Sequence, residues 1–217
     1  MERRLAAILS ADVVGYSRMM RADEEGTLLA LGDVRREIVD AQLAEYHGRI
    51  VKLMGDGILA EFASVVDAVS AAVEIQQKVA QRNKSQPVEN RINFRIGINL
   101  GDIVVEDDDI YGDGVNVSSR LEGLAESGGI CVSGKVYDEV HGKRNFEFID
   151  LGHQTVKNIE QPIRVYRIRA DGFDETAALG ALELSRPGRS KRSVLIALFA
   201  VLVLAATTIS IWLLGAR

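Results

Sequence analysis

Two aspartates stand in tight settings far apart in the chain. Asp12 lies in Ala11-Asp12-Val13-Val14-Gly15-Tyr16-Ser17, and Asp56 in Lys52-Leu53-Met54-Gly55-Asp56-Gly57. Each falls at or just past the end of an apolar run, close to a glycine that lets backbone approach a ligand. A pair of carboxylates held at strand ends is the usual protein contribution to a two-metal phosphoryl-transfer site. Lys52, four residues before Asp56, adds a cation able to read a nucleotide. Taken singly, each aspartate also fits an ordinary turn, since Asp-Gly is a strong hairpin signal.

Such residues need elements to hold them. Hydrophobic periodicity predicts a strand at about 4–12 and a helix from Asp23 to His47. A hairpin of strands at about 49–54 and 57–62 turns at Gly55-Asp56-Gly57. Ser64 is positioned to cap a helix running to about Arg82. A long alternating strand covers Arg91 to Val105, and a helix covers about Asp113 to Ala125. A strand at about 129–133, a short helix, and strands near 146–151 and 163–169 complete the pattern. Strand and helix do not alternate regularly, which excludes a doubly wound sheet. The order predicts an α+β fold with a ferredoxin-like βαββαβ core sheet and helices on one face. The other face is then expected to be a binding or dimer surface.

The 217 residues, 47% of them hydrophobic, with a net charge of −5, suit one globular domain plus an appendage. The acidity excludes nonspecific nucleic-acid binding, which needs a basic face. The single cysteine, Cys131, excludes an internal disulfide and sits in an apolar run that suits a buried small residue. His47, His141 and His153 lack metal-ligand spacing, so a bound metal should be a hard cation on oxygen ligands.

The C-terminal end differs in kind. Residues 194–214 carry no charge, long enough at about 1.5 Å per residue to cross a hydrocarbon core of roughly 30 Å, with Trp212 near the far interface. The preceding Arg186-Pro187-Gly188-Arg189-Ser190-Lys191-Arg192 is basic. By the positive-inside rule it predicts a single-pass transmembrane helix in the cell membrane with the soluble part cytoplasmic. The expected division is a domain over 1–170, a polar and basic linker over 171–193 and a membrane helix over 194–214. No secretory signal is legible in Met1-Glu2-Arg3-Arg4. The chain reads as a tail-anchored protein or as a piece of something longer.

A third constellation follows the long strand, from Glu106-Asp107-Asp108-Asp109-Ile110-Tyr111-Gly112 into Asp113-Gly114-Val115-Asn116-Val117-Ser118-Ser119-Arg120. Asn116 and Arg120, four apart, project from one helix face. An amide and a guanidinium converging there suit a ribose or a phosphate charge. A solvated helix face behind a dipole-matching acidic run is the alternative reading.

Taken together and in order, the three segments closely resemble the class III nucleotidyl cyclase catalytic domain, the adenylyl and guanylyl cyclase family, over about residues 4–169. The resemblance implies the class III cyclase fold and assigns roles. Asp12 and Asp56 match the aspartates that hold two Mg²⁺ or Mn²⁺ ions, with the Val13 carbonyl as a backbone ligand. Val14, Gly15, Tyr16 and Ser17 match the amides that wrap the triphosphate. Lys52 matches the base-reading lysine of adenylyl cyclases and Asp109 its partner. Asn116 matches the residue that orients the ribose, Arg120 the one that stabilises charge on the transferring α-phosphate, and Lys157 a lysine on the terminal phosphates. The implied reaction is ATP to 3′,5′-cyclic AMP and pyrophosphate.

In this family two catalytic domains lie head to tail and share their sites. The resemblance therefore implies a homodimer with two equivalent sites, each taking Asp12 and Asp56 from one chain and Lys52, Asp109, Asn116 and Arg120 from the other. A guanylyl cyclase and a catalytically silent nucleotide-sensing or dimerisation module are the alternatives. Two positions depart from the family pattern: Ser10, where many relatives carry an aromatic residue, and Asn158, where a glycine is common.

Overall fold

The computed structural model describes residues 2–169. Strand β1 (Glu2–Val13) leads through helices α1 (Tyr16–Ala22) and α2 (Glu24–Val34), a π-helical turn at Arg35–Val39 and α3 (Asp40–Glu45) to the hairpin β2 (Arg49–Met54) and β3 (Gly57–Phe62). Helix α4 (Val65–Asn83) returns to the long β4 (Phe94–Glu106), followed by the short β5 (Asp109–Tyr111) and α5 (Asp113–Leu124). Strand β6 (Ile130–Ser133), helix α6 (Gly134–Val140) and the pair β7 (Glu147–Gln154) and β8 (Ile163–Arg169) complete the described residues.

The strands form one mixed sheet in the order β2-β3-β1-β4-β6-β8-β7, with β5 paired to β4. Among the described residues only the β4–β6 pairing is parallel. The β2-β3-β1-β4 portion, with helices crossing between, is the expected βαββαβ core. Its central strand β1 is apolar on both sides, as buried strands are. Ala7, Leu9, Ala11 and Val13 enter the main core beneath α4, while Ala6 and Ile8 enter a second cluster on the reverse face.

That reverse face corrects one expectation. Helices do not share a single side of the sheet, because α5 packs against β4 and β1 opposite α4. Gly97 makes this approach possible. A Cβ there would lie 2.2 Å from the Ser118 carbonyl oxygen and 2.2 Å from the Glu122 amide nitrogen, so only glycine fits. Ser10 Oγ and Ser118 Oγ, 2.8 Å apart and buried, pin the strand to the helix. A larger residue at position 10 would displace that bond, which accounts for the small side chain there.

The helix expected over 23–47 runs without a gap from Glu24 to Glu45 as α2, the π-helical turn and α3, and the separate helix α1 precedes it. Asp23 adopts extended backbone, and its carboxylate accepts the Gly26 N–H at 2.9 Å, capping α2 and ending α1. Ser64 caps α4 as expected, accepting from the Asp67 N–H at 3.2 Å.

The membrane assignment is also corrected. Among the described residues no helix is long and apolar enough to cross a membrane. The longest, α4, has 19 residues but packs one face on the sheet and keeps charges on the other. The expected linker and the apolar run at 194–214 lie outside the described residues. Single-pass location in the cell membrane is therefore not supported.

Candidate active site

The hairpin is built to present one carboxylate. Met54 pairs with Gly57, leaving a two-residue turn of Gly55 and Asp56. Gly55 has φ 65°, a conformation that L side chains rarely adopt. Asp56 thus sits at the hairpin tip beside the end of β1, within hydrogen-bond reach of Asp12. Burial first, and then Asp12, raise the Asp56 carboxyl above the ordinary carboxylate range.

Two residues absent from the sequence reading complete this corner. Arg95 stands directly across from Asp12 in the β1–β4 register. Its Nη2 donates to Asp12 Oδ2 at 2.8 Å and lies 3.2 Å from Oε1 of Glu122 on α5. Glu122 is largely buried, and burial lifts its carboxyl to about 7 against the pull of Arg95. Alternation in β4 sends Phe94, Ile96 and Ile98 into the main core and so turns Arg95 and Gly97 toward α5. That alternation was the available signal for Arg95. Glu122 had none, since its partner is set by how α5 lies on the sheet.

The residues expected to hold metal offer hard oxygen donors. Among the described residues no group of three or more His, Cys, Asp or Glu could hold an ion. Two adjacent carboxylates and a backbone carbonyl fit Mg²⁺ or Mn²⁺ only if substrate phosphate oxygens and water supply the remaining ligands. Burial first and then the neighbouring Asp12 disfavour charge on Asp56, a cost that a hard cation between the two carboxylates would offset. The set fits.

Lys52 ion-pairs with Asp109, the contact falling between β2 and β5. Glu106 pairs with Asp109 across the β4–β5 turn, leaving Asp107 and Asp108 as turn residues, so Asp109 is the member of the acidic run that meets the lysine. Asp109 Oδ1 also accepts the Ile110 N–H at 2.9 Å. The Lys52 bond holds the Asp109 carboxyl below its ordinary value and raises the Lys52 ammonium above its own. Both stay charged, one a donor and the other an acceptor.

A third group gathers around α5. Arg120 Nε donates to the Lys157 carbonyl at 3.3 Å, fixing the β7–β8 loop against the helix. Asn158 follows with φ 63°, the left-handed conformation where glycine is common and asparagine tolerated. Asn116 is exposed one turn before Arg120. At the end of β1 the Val14 N–H is taken by the Asn93 carbonyl at 2.9 Å. That narrows the expected amide set to Gly15, Tyr16 and Ser17, the last two in the first turn of α1, where amides lack an intrahelical acceptor. Cys131 is buried, its thiol pushed up to about 11 by burial, which excludes a nucleophilic role.

The expected residues thus assemble as three groups: Asp12 with Asp56, Lys52 with Asp109, and Arg120 with Lys157. Lys52 turns to Asp109 although Asp56 is only four residues away.

Comparison with known proteins matches residues 3–170 to the adenylate and guanylate cyclase catalytic domain. A Rhizobium meliloti protein named "Putative adenylate cyclase 3" is 46% identical over 164 residues, 76% of this chain and 28% of that protein. The crystal structure of an adenylate/guanylate cyclase/hydrolase from Silicibacter pomeroyi is 49% identical, with a TM-score of 0.72, over 79% of this chain and 99% of that one. The adenylyl cyclase CyaB from P. aeruginosa, 23% identical, shares the fold with a TM-score of 0.68 over 78% of this chain and 96% of its own.

Proposed function

The chain belongs to the class III adenylate and guanylate cyclase catalytic domain family, and on that premise we propose that residues 1–170 form an adenylyl cyclase domain, converting ATP to 3′,5′-cyclic AMP and pyrophosphate. The observation that carries the adenine preference is the Lys52–Asp109 pair. A lysine donates to adenine N1 while an aspartate accepts from the exocyclic N6 amine. Guanine offers the opposite pattern, a ring N–H and a carbonyl oxygen, so the same pair would leave it mismatched.

Around the base, Asn116 orients the ribose and Arg120 stabilises charge growing on the α-phosphate, its guanidinium steadied by the Lys157 carbonyl. Lys157 itself reaches the terminal phosphates, and the Gly15, Tyr16 and Ser17 amides bond the triphosphate oxygens. Asp12, Asp56 and the Val13 carbonyl would hold two Mg²⁺ or Mn²⁺ ions. When bound, such ions lower the pKa of the ribose 3′-hydroxyl and neutralise the leaving pyrophosphate. In-line attack on the α-phosphorus then depends chiefly on positioning and charge.

The site is shared between two copies of the chain. This is supported by the different partners of two residues on one hairpin: Lys52 pairs with Asp109 on β5, while Asp56 lies beside Asp12 at the end of β1. A symmetric homodimer gives each site one of each group, and a monomer has no complete site.

The test is product formation by the full chain, given ATP or GTP with Mg²⁺ or Mn²⁺, over a range of protein concentrations. Cyclic AMP, with specific activity rising with concentration, is the expected result. Cyclic GMP would overturn the assignment of Lys52 and Asp109. No product from a folded, dimeric chain would replace the enzyme with a nucleotide-sensing module.

A further inference from the structure

We infer that Arg95 is a movable counter-ion that occupies the cation position at Asp12 and swings onto Glu122 when a divalent ion enters. This rests on the reading of Asp12 as a metal ligand and goes beyond it. One nitrogen, Arg95 Nη2, serves two carboxylates on different elements, Asp12 at 2.8 Å and Glu122 at 3.2 Å. The arrangement is not its best seat. Arg95 Nε is buried without a hydrogen-bond partner, and Glu122 Oε1 is buried without a well-aligned one. A buried donor and a buried acceptor left unmatched side by side are each costly. Rotation of the guanidinium away from Asp12 and toward Glu122 would match them to each other.

The receiving carboxylate is held in place. The Glu122 backbone rests directly on Gly97, two residues from Arg95 on the same face of β4, so the helix cannot drift from the strand. Asp12 faces Arg95 in register from the neighbouring strand. Arg95 therefore has two fixed anionic seats and one charge to place. A cation on Asp12 repels it from the first seat, and Glu122 offers the second without exposing the guanidinium to solvent.

The experiment is a nucleotide-free Mn²⁺ titration of the full chain at pH 8, followed by paramagnetic resonance of free Mn²⁺. Wild type is compared with Arg95→Ala, Glu122→Gln and the double variant, with Asp12→Asn as the reference for the site. Arg95→Ala should tighten Mn²⁺ binding by roughly tenfold, because the competing charge is gone. Glu122→Gln should weaken it by roughly fivefold, because Arg95 loses its second seat. The double variant decides: with Arg95 absent, Glu122→Gln should change Mn²⁺ binding little. Equal weakening in both backgrounds would make Glu122 a through-space attractor of the metal and overturn the swing. Unchanged binding in Asp12→Asn would instead sink the metal assignment itself, and the swing with it. Arg95→Met, which keeps the aliphatic stem, replaces Arg95→Ala if thermal melts show that the alanine variant does not fold.

Discussion

Lys52 and Asp109 lie fifty-seven residues apart in sequence and meet as an ion pair. The lysine rides the exposed hairpin strand β2, just past a register shift between Ile50 and Lys52. The aspartate opens the three-residue strand β5. Neither residue belongs to the main core, yet their side chains converge.

Lys52→Ala and Asp109→Ala are each expected to lower kcat/KM for ATP by about 10²- to 10³-fold while changing GTP turnover far less. The double variant should fall little further than either single one, the outcome expected of a pair that reads one base. Parallel assays of cyclic AMP and cyclic GMP measure the ratio. Equal losses on both nucleotides would remove the pair from base recognition.

Asp12→Ala and Arg120→Ala chains, each inactive alone, should recover activity when mixed. Random pairing places one intact site in the heterodimer and none in either homodimer. A mixture that stays inactive, with exchange of subunits verified, would rule out shared sites.

Glu122 makes stability depend on pH. Burial lifts its carboxyl from the 4.5 of the free side chain to about 7, with Arg95 on β4 opposing and Asp12 and Asp56 reinforcing the shift. The folded chain therefore binds an extra proton in that window. The stabilisation is full below about pH 4.5 and is lost as pH rises through about 7. Glu122→Gln, neutral throughout, should be more stable than wild type at pH 8 by up to about 3 kcal/mol, the gap closing toward pH 4.5. Urea titrations at a series of pH values test the sign. A gap that widens on acidification would refute it.

Gly97→Ala should destabilise the fold by roughly 1–3 kcal/mol, since the added methyl meets backbone of α5 and cannot be relieved by a rotamer change. A thermal melt reads the loss, and an unchanged midpoint would mean that α5 can lift off the sheet.

Much of this was written in local pattern. The β2–β3 hairpin follows from Gly55-Asp56-Gly57, and α4 from Ser64 and its apolar stripe. Asn116 and Arg120 were legible because helix spacing is a property of neighbours in sequence. The Arg95–Glu122 contact was not, since it joins a strand to a helix through packing that no periodicity encodes. The side of the sheet chosen by α5 was hidden for the same reason: the glycine that admits the helix lies in β4, not in the helix. Helix α1 was not legible because none of its seven residues is fully buried to mark a helical period, and the π-helical turn at Arg35–Val39 leaves no trace in apolar spacing.

The two-residue turn at Gly55 and Asp56 leaves little slack between Lys52 and the hairpin tip. In a head-to-tail pair of chains, those ends of one rigid arm serve different pockets. A tilt that seats a purine against Lys52 in one pocket must drag Asp56 in the other. Under the proposed pairing each hairpin would act as a rocker across the dyad, so that filling the first pocket would set the readiness of the second.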